Sequence, residues 1–252
     1  MISFVVIVIN SLTTVTNQAK SESNTKTNLK IIVFAPHPDD ELIGCGGSIA
    51  KHIKNGNEVS VVYMTSGDSG NIGINKNDLA IMREEEASRG AKMLGVKELI
   101  FLRNPDGYLE ASKENLIKLM RIIREKQPNV VYVTSKEEGH KDHRTTNELV
   151  MNAVGRASGP WFQEVEGKPW EVSHILEYEV HPPMSSTSYC EDITDFIDLK
   201  VKALEEHKSQ IEDIHYQDSS RALAEYRGIL TSGKSKYAEC FKIVKTQGLF
   251  GF

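Results

Sequence analysis

The chain is poor in cysteine, proline and tryptophan, with 3 Cys, 8 Pro and 2 Trp in 252 residues. Cys45, Cys190 and Cys240 are an odd number with no CxxC spacing, which argues against a disulfide framework and a cysteine zinc knuckle. They read as small core residues. With 39% hydrophobic and 26% charged residues, disordered and fibrous classes are excluded. Basic charge is not in excess: 30 Lys and Arg against 35 Asp and Glu give a net charge of −5, and no basic block stands out. Nucleic acid is therefore not an expected partner. Long apolar runs are also missing. Residues 2–9 form an apolar octet too short to span a bilayer, so no stable membrane span is expected. No Lys or Arg precedes that octet and no small-x-small cleavage site follows closely. Residues 1–28 thus read as an extension ahead of one domain over 29–252, and the protein as cytoplasmic. The alternative is an exported protein in which residues 1–20 act as a signal.

From residue 30 short apolar runs alternate with longer segments of helical period, which predicts an α/β fold. The expected architecture is a Rossmann-like, mostly parallel sheet with flanking helices and a C-terminal elaboration. Strands are expected over 31–35, 59–64, 99–102, 130–133 and 175–180, the first four parallel. Helices are expected over 44–54 and 79–94, each followed by a glycine, over 112–127 with Ser112 as cap and Pro128 as stop, and over 143–157. Beyond Gly159 the pattern is less regular until helical stretches at 196–211 and 220–230. Ligands of such sheets bind beyond the carboxyl ends of the strands, so the loops there carry the functional reading.

The loop after the first strand is Ala35-Pro36-His37-Pro38-Asp39-Asp40-Glu41. One imidazole and three carboxylates crowded together need a cation to relieve their repulsion, and two prolines stiffen the turn. After the fourth strand comes Gly139-His140-Lys141-Asp142-His143 at the same sheet end. Zinc takes imidazole nitrogen and carboxylate oxygen, and a catalytic site keeps three protein ligands and one open position. His37, Asp40 and His143 are the expected ligands, although Fe(II), Co(II) and Mn(II) suit the same donors.

These motifs resemble the LmbE/PIG-L-like zinc de-N-acetylases, whose hallmarks are an AHPDDE-type motif on the first strand and a later HxDH-type motif. The first motif here carries an extra proline after the alanine. Arg83 to Glu86, the Asn104-Pro105-Asp106-Gly107 turn and the His207-Lys208-Ser209-Gln210 run are similar as well, so the resemblance covers about residues 30–210. It implies zinc on His37, Asp40 and His143, Asp39 as general base, and His140 as acid or oxyanion stabiliser. It further implies substrate contacts from Arg83 and Asp106, an N-acetylglucosamine-containing small molecule as substrate, and homo-oligomers in many relatives. The chemistry agrees, because a carboxylate beside a metal can take a proton from water while an imidazolium meets the oxyanion. Asp142 could hold that imidazole protonated.

Blander readings compete at each position. Arg83 could be a surface residue paired with Glu84 or Glu86, Asp106 a turn former, and Asp142 a helix cap. His181 could reach the pocket, and Trp161 and Trp170 could flank a capping loop or merely pack. A non-sugar N-acyl substrate is the enzymatic alternative. A nucleotide-binding module is disfavoured, since an acidic loop stands where a glycine fingerprint would be needed.

Overall fold

Alternate residues of the apolar runs face opposite sides of one sheet, and this period-2 pattern builds two separate cores. In the computed structural model, which describes residues 28–212, 214–231 and 233–247, β1 (Lys30–Ala35) sends Ile31, Val33 and Ala35 to one core and Ile32 and Phe34 to the other. The central strands β2 (Glu58–Thr65) and β4 (Val130–Thr134) divide in the same way, Val61 and Tyr132 on one side, Val62 and Val131 on the other. Burial on both faces explains why these strands read as unbroken apolar runs. Each such Val or Ile contributes about 1.5–3 kcal/mol when fully buried. The octet at 2–9 and the extension up to residue 27 lie outside the described residues.

The seven strands are ordered β3-β2-β1-β4-β5-β7-β6, with β3 at Glu98–Asn104, β5 at His174–Tyr178, β6 at Tyr189–Asp192 and β7 at Ala238–Lys245. Strands β1 to β5 are parallel, and β7 runs antiparallel to both β5 and β6. The chain winds outward from β1 through β2 to β3, then returns and winds the other way from β4. The order therefore reverses between β1 and β4, and the loops leaving those two strands part to open a crevice.

The helices are α1 (Asp40–Lys54), α2 (Lys76–Leu94), α3 (Lys113–Lys126), α4 (Lys141–Ala157), α5 (Ile197–Leu204), α6 (Lys208–Ile211) and α7 (Tyr216–Leu230). Gly95 in left-handed conformation ends α2, and the Ser112 hydroxyl accepts from Asn115 N at the start of α3. Helix α1 starts four residues earlier than the apolar pattern suggests, since Asp40 and Glu41 already form its first turn. It is kinked at Cys45, where φ is −145°. A β-carbon on Gly44 would lie 2.2 Å from the Tyr178 ring, so close packing accounts for that glycine.

Several sequence expectations need correction. The single helix at 196–211 is two, broken by a turn at Glu205 to His207. Strands β6 and β7 were not anticipated; Glu191 and Asp192 in β6 and Glu239, Lys242 and Lys245 in β7 break up their apolar residues. The cysteines are not all free: Cys190 and Cys240, paired across β6 and β7, form a disulfide, and Cys45 alone is a buried thiol. An antiparallel register, invisible in the spacing, brings those two together. Trp161 and Trp170 flank no substrate cap. Arg124 ties residues 159–165 down by donating to the carbonyls of Gly159, Trp161 and Val165, and the Trp170 indole donates to Pro128 O, at the amino end of β4 and so opposite the crevice.

Candidate metal centre and its cleft

The β1 loop enters α1 through Asp39, which holds a φ of 122°. Such a backbone costs about 1–3 kcal/mol in a non-glycine residue and persists only where its surroundings enforce it. Here Asp39 O accepts from Leu42 N and Ile43 N, Asp39 N donates to the Glu41 carboxylate, and the Tyr63 hydroxyl donates to that same carboxylate at 2.6 Å. The Asp39 side chain lines the crevice, its Oδ2 accepting from Arg83.

Three donor atoms converge between β1 and β4. His37 Nδ1 lies 3.1 Å from Asp40 Oδ2, His143 Nε2 lies 3.3 Å from the same oxygen, and the two ring nitrogens are 3.3 Å apart. Donors at 2.0–2.1 Å from a tetrahedral zinc ion sit about 3.3 Å from one another. The donor set and its spacing thus fit a small divalent cation. Among the described residues three overlapping groups could hold a metal: His37-His140-His143, Asp40-His143-His181 and His37-Asp106-Asp142. Each draws on at least one member of the converging trio.

Electrostatics give the same picture. Burial works to lower the His37 ring, but the carboxylates of Asp106, Asp142 and Asp40 override it and hold the ring well above its ordinary value. Burial also opposes charge on His143, yet Asp40 and Glu138 raise it to about 9. Asp40 is held well below the usual carboxylate range by His143 and His37 despite its burial. A proton thus takes the part of the cation that this cluster of acceptors demands. Asp39 behaves oppositely, since burial pushes its carboxyl up to about 7 against the pull of Arg83.

Arg83 is buried rather than displayed on a helix surface. Its guanidinium donates to Asp39 Oδ2 at 3.1 Å, to Pro38 O at 2.7 Å and to Gly67 O at 3.1 Å. The surface pairings considered for it do not form: Glu84 is taken by Arg103 and Ser66, and Glu86 accepts from the backbone and hydroxyl of Ser209. Asp106 stands 3.0 Å from His37 Nε2 and accepts from Ser69 N. His140, not Asp142, caps α4, its Nδ1 accepting from Asp142 N. Asp142 is fully buried and accepts from Gly107 N and Leu109 N, with one oxygen 3.5 Å from His37 Nε2. Its carboxylate therefore serves the β3–α3 loop and His37 rather than gripping the His140 ring. The His140 ring is held below its ordinary value, by burial first and then by His37 and His143.

Above these groups opens a cleft of roughly 340 Å³ lined by His37, Asp39, Asp40, Arg83, Asp106 and His140 together with Ser69, His181, Gln210, Ile214 and Tyr216. A family model described as PIG-L, GlcNAc-PI de-N-acetylase, matches residues 32–154. Over 227 residues the chain is 32% identical to diacetylchitobiose deacetylase of Thermococcus kodakarensis, covering 85% of this chain and 83% of that protein. The chain belongs to the PIG-L family.

Similarity to other PIG-L proteins spans the same region. The structure of N,N'-diacetylchitobiose deacetylase from Pyrococcus horikoshii with its inhibitor MPG superposes with a TM-score of 0.79 at 33% identity, covering 87% of this chain and 85% of that one. A probable N-acetyl-alpha-D-glucosaminyl L-malate deacetylase 2 of Bacillus subtilis is 28% identical over 190 residues, 72% of this chain and 83% of that protein. Both PIG-L motif loops lie at the sheet's switch point, and every site residue expected from sequence is at or beside the cleft. His181, weighed only as an outside candidate, lines it and stacks on the His143 ring with centroids 5.0 Å apart. Ser69, Gln210 and Tyr216 were not singled out; only the SQ pair within the His207–Gln210 run offered a signal for Gln210.

Proposed function

We propose that this protein hydrolyses the N-acetyl group of an N-acetylglucosamine-containing substrate, with zinc held by His37, Asp40 and His143. The reading is carried by the convergence of those three donor atoms beneath a polar cleft. It is supported by membership of a family whose models and relatives are named as de-N-acetylases of such sugars. A divalent ion bound there supplies a Lewis acid that polarises the amide carbonyl and acidifies water. Asp39, beside that position and tethered by Arg83, accepts the proton of the attacking water as general base. His140, whose Nδ1 is occupied by Asp142 N, presents its Nε2 side to the cleft and stabilises the oxygen of the tetrahedral state. Arg83 and Asp106 line the wall where sugar hydroxyls would lie, and Asp106 also steadies His37.

No helix among the described residues is long and apolar enough to cross a membrane. The Cys190–Cys240 pair supports the exported alternative over a cytoplasmic one, because disulfides persist in oxidising compartments. The activity is tested by measuring acetate released from N-acetylglucosamine, N,N'-diacetylchitobiose and simple non-sugar acetamides. Release confined to the acetamido sugars and lost in Asp39→Asn is expected. Turnover only of non-sugar amides would transfer the assignment to the other substrate class.

A further inference from the structure

Glu138 lies two residues before the second motif and is 3% exposed. One of its oxygens, Oε1, accepts from Val180 N at 2.9 Å and from His181 N at 3.2 Å, fastening the segment that leaves β5. The other, Oε2, faces His143 Nδ1 across 3.5 Å. Neither Oε2 nor His143 Nδ1 has a hydrogen-bond partner among the described residues, although both are buried. Two orphaned polar atoms facing each other in a protein interior are costly, about 1–3 kcal/mol apiece, unless a ligand state closes them. His143 is already fixed from behind, its carbonyl accepting from the Thr134 hydroxyl at 3.0 Å, so what is left free is the rotation of its ring.

We infer that Glu138 is a positioning residue that sets the ring of His143 for metal and, through its other oxygen, holds His181 over that ring. This rests on the reading of His37, Asp40 and His143 as metal ligands. An imidazole that gives Nε2 to a cation must carry its proton on Nδ1, and an accepting carboxylate beyond that nitrogen fixes both tautomer and ring plane. Because both ends of Glu138 accept, glutamine cannot replace it. If the amide oxygen serves Val180 and His181, the amide NH2 meets the His143 Nδ1 proton, donor against donor; if it flips, the segment after β5 is released.

Zinc affinity of the full chain, read by competition with a chromophoric chelator, tests this in the wild type and Glu138→Gln. The variant is expected to bind one zinc 10–100-fold more weakly, in line with loss of such outer partners elsewhere. The zinc-loaded wild type is expected to show a slowly exchanging downfield ring N–H proton from His143 that Glu138→Gln lacks. Equal affinity in the two proteins, with the wild type binding one ion, would overturn the inference and leave the metal reading intact. A wild type that binds no zinc would overturn both. Should Glu138→Gln fail to fold, the His143 signal in the zinc-loaded wild type decides alone: its presence supports the assignment and its absence refutes it.

Discussion

Two clusters of buried charge lie on either side of the kink in α1, and they are built on opposite principles. In the first, Lys200 donates to Glu239 at 2.7 Å and to Ile43 O at 2.8 Å, while Glu239 also accepts from Gly47 N and Ser48 N. Glu239 thereby caps the second half of the kinked helix, Lys200 serves a carbonyl freed by the kink, and neither side chain is left with a buried orphan. In the second, around His37, Asp40 and His143, two ring nitrogens crowd one carboxylate oxygen at 3.1 and 3.3 Å, and Glu138 Oε2 and His143 Nδ1 lack hydrogen-bond partners. A closed network belongs to the architecture; an open one marks where something positive is meant to enter.

Substitutions separate the two. Asp39→Asn should lower kcat by about 10²–10⁴-fold while zinc content stays near that of the wild type, as acetate release and elemental analysis would show. In the closed cluster, Glu239→Gln should leave the zinc content of the folded protein unchanged. It strands a buried ammonium, however, so urea denaturation should show a loss of about 3–5 kcal/mol. Equal loss of metal in both variants would erase the distinction.

Protonation sharpens the contrast further. His52 is buried between Tyr132 and Asn57, and burial first, then Lys51, lowers it from its ordinary value of 6.5 to about 4. The unfolded chain therefore binds the proton more readily. The stability this neutral ring confers is present above pH 6.5 and is lost as pH falls toward 4, by up to about 3 kcal/mol. The stability advantage of the wild type over His52→Gln should shrink across that window, whereas a constant difference would show that His52 titrates normally. At the small end, Lys118→Ala removes only the exposed pair with Glu114 and should leave the unfolding midpoint unchanged within error.

Much of the parallel half of this molecule was legible because its rules are local. Runs such as 31–35 and 130–133 are apolar on both faces, and Gly95, Ser112 and Pro128 punctuate helices through backbone preferences that need no partner. The two motif loops could be placed together because strand order and handedness put them at one sheet end. What escaped depends on distant partners. Strand β7 carries Glu239 and Lys242 among its apolar residues, and only contact with Lys200 and the β5 edge makes them strand residues. The Cys190–Cys240 pair follows from antiparallel register. Arg83 could be read either as a substrate contact or as a helix-surface residue, and its burial against Pro38 and Asp39 is a tertiary fact that composition does not encode. Glu138 carried no signal at all, since an acidic residue before a glycine is ordinary loop chemistry.

The central claim is that His37, Asp40 and His143 share one ion. Elemental analysis of protein purified without added metal, then stripped with chelator and reconstituted with zinc, measures it directly in the wild type and in His37→Ala, Asp40→Ala and His143→Ala. One zinc per wild-type chain, restored together with acetate release and lost in all three variants, is the predicted result. Full zinc binding by any of the three, or turnover by the stripped wild type, would contradict it.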